Sequence, residues 1–279
     1  MGWCQIYRNI GEELYAKLME RQQSELSNNV FTDALCKTAS LSKAEWIQAT
    51  EFVHRHFAGT TAYKLARLFI DHLRLQLPES VITFNADTLF ETIFVLLKKV
   101  KHNEGTSNWA DPAQTFSRRV RPSQEIEGNV PIFHLHGCLP PTSSRHQSVN
   151  ENAENMIFPE NSYTGLAGRV FTWTQNAFLH KAQTNTLCFI GMSMADPNVR
   201  RWMSWAYGTY LEDLQAAHEV KINEVGGRHV WVTTRNKLLP EAQQLYPFAL
   251  RHLGIQICWL EKWDDITDAM ESMLGGAYL

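Results

Sequence analysis

The sequence has no apolar run long enough to cross a bilayer. Its longest stretches, such as Leu187 to Met192, fall far short of the roughly 20 residues a spanning helix needs. It has no Gly-x-x-x-x-Gly-Lys-Ser/Thr segment, which argues against an ATPase or GTPase of the phosphate-loop type. Cysteine is sparse: Cys4, Cys36, Cys138, Cys188 and Cys258 are odd in number and scattered. No Cys-x-x-Cys pair is present to hold zinc or form a redox couple, so they read as buried free thiols. Neither sign of charge dominates. With 26 Lys and Arg against 29 Asp and Glu, a net charge of −3 and a pI near 6.4, neither nucleic acid nor an anionic membrane is the expected partner. The local cluster Arg118, Arg119 and Arg121 reads as a solvated loop. The opening residues, Met1-Gly2-Trp3-Cys4-Gln5-Ile6, lack the basic-then-apolar order of a secretory signal, and Ile6 stands where myristoylation wants Ser or Thr. A cytoplasmic location is expected.

What the chain does have is apolar material for a packed core: 44% hydrophobic residues, with 14 Phe, 9 Trp and 8 Tyr, against 20% charged, which excludes a disordered chain. At 279 residues, a single domain is expected. Residues 1–78 should form a helical layer, because apolar residues recur at three and four and Ser42-Lys43-Ala44-Glu45 has the capping-box form. The layer should pack on a core of residues 79–279. In that core, short apolar runs at Ser80 to Phe84, Val130 to His134, Thr186 to Gly191, His229 to Thr233 and Ile255 to Leu260 predict five strands. Helices are predicted at Thr88 to Lys101, Tyr163 to Ala182, Pro197 to Val220, Leu238 to Leu250 and Asp264 to Leu274. The alternation predicts an α/β, Rossmann-like parallel sheet with helices on both faces. The polar stretches Asn103 to Gly128 and Pro140 to Asn155 read as long loops.

Ligands of such sheets bind beyond the carboxyl ends of the strands, and three strand ends carry suggestive residues. Thr83-Phe84-Asn85-Ala86-Asp87 sets two side chains with acceptors two positions apart before a helix. Asp87 alone would serve as an N-cap, whereas the Asn85 amide can both donate to and accept from a sugar hydroxyl or a water. Ile132-Phe133-His134-Leu135-His136-Gly137 ends a strand in histidine and glycine. Gly137 permits a sharp turn, and His136 at the rim is suited to act as a base at neutral pH. His134 and His136 share a strand face by the two-residue period. Cys188 to Asn198 offers Gly191 for close approach of a ligand, the Ser193 hydroxyl, and Asp196-Pro197 as a helix start.

In this order, Thr83-x-Asn85-x-Asp87, Leu135-His136-Gly137 and Phe189-Ile190-Gly191-x-Ser193-x-x-Asp196-Pro197-Asn198 resemble the sirtuin-like NAD-binding family. The likeness is strongest to the zinc-free, sirtuin-like NAD hydrolases of bacterial antiphage defence. It covers Val81 to Val199, with Ile157 to Arg169 matching a tyrosine-containing segment. By this resemblance, Asn85 holds the nicotinamide ribose and the attacking water, and Thr83 binds NAD beside it. Asp87 lies near the nicotinamide carboxamide, His136 is the general base, and Gly137 next to it is an NAD-binding residue. Gly191 and Ser193 line the nucleotide ribose and phosphates. NAD is then a substrate, no metal is expected, and the chain should form a homo-oligomer or a larger defence assembly. Ala86 replaces the larger residue usual between the Asn and the Asp, and without Cys-x-x-Cys pairs protein deacylation is not expected. The family opens with a strand and a Gly-Ala-Gly-x-Ser loop that cradles the pyrophosphate. No such segment occurs in this sequence, so it is expected to be either a piece of a longer chain or a true variant. Two other readings stay open: a sirtuin-like regulatory scaffold, and a metal-dependent hydrolase on His134-x-His136 with His180, His218 or Asp196 as further ligands.

Overall fold

The structure, a computed structural model, describes residues 42–71, 78–85, 87–103, 116–119, 130–137, 172–218, 226–235 and 239–275. The chain divides into two compact units, Met1–Gly165 and Leu166–Leu279. In the first, α1 (Lys43–Phe57) begins at the expected capping box: the Ser42 hydroxyl accepts from the Glu45 N–H and the Glu45 carboxylate accepts from the Ser42 N–H. It is followed by α2 (Thr61–Asp71), β1 (Val81–Thr83), α3 (Leu89–His102), β2 (Phe116–Arg119) and β3 (Val130–His134). The strands form a parallel sheet in the order β1-β3-β2, with Thr83 opposite His134 and Arg119 opposite Phe133. Both α1 and α2 pack on α3, and their apolar stripes meet the sheet in a core of Ala49, Val53, Ala66, Ile93, Phe94, Leu96, Phe116 and Ile132.

The second unit runs α4 (Trp173–Thr184), β4 (Cys188–Ile190), α5 (Pro197–His218), β5 (His229–Thr234), α6 (Pro240–Arg251), β6 (Ile255–Leu260), a 3-10 turn (Trp263–Asp265) and α7 (Ile266–Gly275). Its parallel sheet has the order β4-β5-β6, so each helix between consecutive strands serves as a crossover. Trp202 and Met203 of α5 are buried, with Trp202 against Phe178 of α4 at 5.4 Å between ring centroids. Gly254, at φ 67, lets the turn before β6 press against the Tyr207 ring, where any side chain would collide.

This is the α/β, Rossmann-like plan that the alternation predicts, with parallel strands and with helices following β1, β4 and β5. One strand is missed. Phe116–Arg119 lies within the stretch read as a loop, and Arg118 and Arg119 are strand residues rather than part of a solvated loop. Phe116 is buried, and the Arg119 guanidinium stands 5.8 Å from the Phe133 ring. The two thiols among the described residues differ from the burial expected of them: Cys188, at the start of β4, is exposed and Cys258 half-buried. The helix expected from Tyr163 is described from Trp173 onward, and Pro140 to Asn155, Ile157 to Arg169 and residues 1–41 lie outside the described residues. No described helix is long and apolar enough to cross a membrane.

Candidate functional site

Because β1 and β3 are hydrogen-bonded neighbours running the same way, their two motifs leave the sheet side by side. The ladder extends past the last paired residues, with the Leu135 N–H donating to the Thr83 carbonyl at 3.0 Å. Beyond it the backbone of Asn85 is held from two directions. Its N–H donates to Thr83 Oγ1 at 3.1 Å, and its carbonyl lies 3.1 Å from His134 Nδ1. Asn85 and Asp87 are exposed and Thr83 is half-buried. Asp87 Oδ1 accepts from the Leu89 N–H at 3.1 Å. The carboxylate thus closes the first turn of α3, a task its N-cap Thr88 does not perform. Ala86 is outside the described residues.

On β3 the strand stops at His134. The Gly137 N–H donates to the His134 carbonyl at 3.1 Å, and Gly137 takes φ 84, the left-handed turn for which glycine is suited. His136 is half-buried, its ring edge-on to Phe84 at 5.0 Å. The chain turns before the two-residue period can carry from His134 to His136, and this corrects the shared face expected for them. His134 is buried, its Nδ1 facing the Asn85 carbonyl and its Nε2 lying 3.4 Å from Glu91 Oε1. Both ring nitrogens of His134 therefore face protein groups. Among the described residues, no group of three His, Cys, Asp or Glu side chains is arranged to hold a metal ion.

In the second unit the Gly-x-Ser segment follows β4. Gly191 has φ 74, and no described residue beyond its chain neighbours lies within 4 Å of the position a side chain's first carbon would take. Ser193 is exposed, its Oγ accepting from the Ala195 N–H at 3.3 Å. The loop is tied down from both sides: the Trp231 indole donates to the Met192 carbonyl at 2.9 Å, and Arg200 to the Met194 carbonyl at 3.3 Å. Met194, buried, sits at φ 55, a strained setting for a residue with a side chain. Asp196 Oδ1 accepts from the Asn198 and Val199 N–H groups at 2.8 and 3.1 Å, with Pro197 at the first helical position, which bears out the helix-start reading.

Glu91 was not singled out from the sequence, and His134 was singled out only with His136 as a metal ligand, not as a buried partner of Glu91. The available signal was a carboxylate on an otherwise apolar helix stripe, between Phe90 and Phe94.

A family model described as a SIR2-like domain matches residues 79–256, a span that begins just before β1 and ends within β6. No curated protein matches the chain significantly. The matched span covers well over half of the sequence and contains all three strand-end motifs, and the chain belongs to the family of SIR2-like domains.

Proposed function

We propose that the chain hydrolyses the bond between nicotinamide and ribose in NAD, giving nicotinamide and ADP-ribose. Water adds to the ribose C1′ as the C1′–N bond breaks. The nicotinamide nitrogen takes the bonding electrons and leaves neutral, and the proton of the attacking water goes to His136. General-base help of this kind contributes about 10²–10⁴-fold. Asn85 orients the ribose and the water, with Thr83 supporting its backbone. Asp87 faces the nicotinamide carboxamide, and Gly137 gives room beside the base. The observation that carries the reading is the pairing of β1 with β3, which sets the Asn85 and His136 segments on neighbouring strand ends, with the Phe84 and His136 rings in contact.

The likeness of the three motifs to antiphage NAD hydrolases supports a role in bacterial defence, in a homo-oligomer or a larger assembly. Incubation with NAD and a chelator tests the chemistry: nicotinamide and ADP-ribose should appear in equal amounts and at an undiminished rate. Activity lost to the chelator and restored by zinc would move the assignment to a metal-dependent hydrolase, and NAD binding without turnover would leave a regulatory scaffold.

A further inference from the structure

The pair Glu91–His134 lies beneath the proposed site without belonging to it. Both side chains are at most 1% exposed, and Nε2 and Oε1 are 3.4 Å apart. On the other side of the ring, Nδ1 is 3.1 Å from the Asn85 carbonyl. A carbonyl oxygen can only accept, so Nδ1 carries a hydrogen. With that hydrogen committed to Asn85, the Nε2 side meets a carboxyl group, and a proton on either partner gives an attractive contact in a buried setting. The three groups form one line, from the carboxyl of α3 through the imidazole of β3 to the backbone of the segment after β1.

We propose that Glu91 and His134 act as a buried positioning pair that sets the orientation of Asn85 by holding its backbone carbonyl. This rests on the proposed function only in making Asn85 a residue that contacts substrate. The Asn85 N–H is held by Thr83 of its own strand end. The carbonyl is held by the neighbouring strand, so His134 makes the peptide plane of Asn85 follow the sheet rather than the exposed turn. Glu91 in turn fixes the ring, in the way that an outer carboxylate orients a histidine whose other nitrogen has work to do. His134 thus touches no reacting atom and acts through Asn85.

The test uses the full chain labelled with ¹³C and ¹⁵N, and four variants: His134→Leu, His134→Asn, Glu91→Gln and Glu91→Leu. His134→Leu keeps bulk and removes the donor, whereas His134→Asn restores an N–H near the position of Nδ1. The Asn85 carbonyl resonance should move in His134→Leu, return toward the wild-type value in His134→Asn, and shift less in Glu91→Gln than in Glu91→Leu. The ¹⁵N spectrum of the wild-type ring should show Nδ1 bearing hydrogen. With NAD, His134→Leu should lower kcat between about tenfold and 10²-fold, as a displaced catalytic group does, with KM little changed, and His134→Asn should recover most of the loss. Should His134→Leu fail to fold, Glu91→Gln and His134→Asn carry the comparison. An Asn85 resonance indifferent to these changes in folded protein would overturn the pair, whatever the turnover. A wild-type chain that leaves NAD intact would overturn the functional reading instead, leaving the resonance test to decide the pair.

Discussion

Two histidines two positions apart have unlike surroundings, and a substitution at each should separate chemistry from stability. His136, half-buried against Phe84, gives up little packing when truncated. His136→Ala should lower NAD turnover by about 10²-fold or more with a nearly unchanged melting temperature. His134→Ala is no neutral control on the same strand, because it leaves Glu91 buried opposite a void. Removing one member of a buried pair costs about 3–5 kcal/mol, so the melting temperature should fall first. Equal loss of turnover in the two variants at equal stability would remove the distinction drawn between them. From the sequence, His136 was legible as a rim residue because Gly137 follows it. The burial of His134 was not, since a histidine in an apolar strand gives no sign of which helix will place a carboxylate beside it.

At the scale of elements, apolar runs located strands whose residues are mostly half-buried or buried, and β3 and β6 begin and end where the runs do. β2 escaped because Phe-Ser-Arg-Arg offers one apolar residue in four, and a strand with one neighbour among the described residues needs no more. The order β1-β3-β2 was equally illegible: nothing in the spacing says that β3 will insert between strands that precede it. The junction of β4 with β5 carries its own titrating group. His229 is buried at the start of β5, and its Nδ1 accepts from the Leu187 N–H at 3.1 Å. Burial, reinforced by the Arg228 cation, pushes its pKa down to about 4 from an ordinary 6.5. The unfolded chain binds a proton near its ordinary value, whereas the folded unit resists protonation until about pH 4, so this contribution is full above the unfolded value and is lost as pH falls. At about pH 5 the loss relative to neutrality should be about 2 kcal/mol. Denaturant titrations at the two pH values should show it, and His229→Asn, which keeps an acceptor for Leu187, should flatten the acid-side slope. An identical slope in the variant would rule out His229 as the source.

At the scale of the whole molecule, the motifs divide between the two units: Thr83 to Asp87 and Leu135 to Gly137 fall in the first, Gly191 to Asn198 in the second. Each was singled out on the same physical ground: in a parallel sheet the carboxyl ends are where backbone and polar side chains are left to meet a ligand. The helices carry the cores, and Glu91 is an exception whose partner lies on another element. The sequence that supplies these strand ends has no Cys-x-x-Cys pair, and the proposed function is hydrolysis. Water, rather than an acyl-lysine oxygen, is then the expected nucleophile. Nicotinamide release from NAD should proceed without peptide, and an added acetyl-lysine peptide should neither accelerate it nor lose its acetyl group. Mass spectrometry of the peptide beside chromatography of the nucleotides reads both at once. Efficient, NAD-dependent removal of acetyl groups would show that a peptide groove forms without zinc, and would replace hydrolysis by acyl transfer as the reaction of this chain.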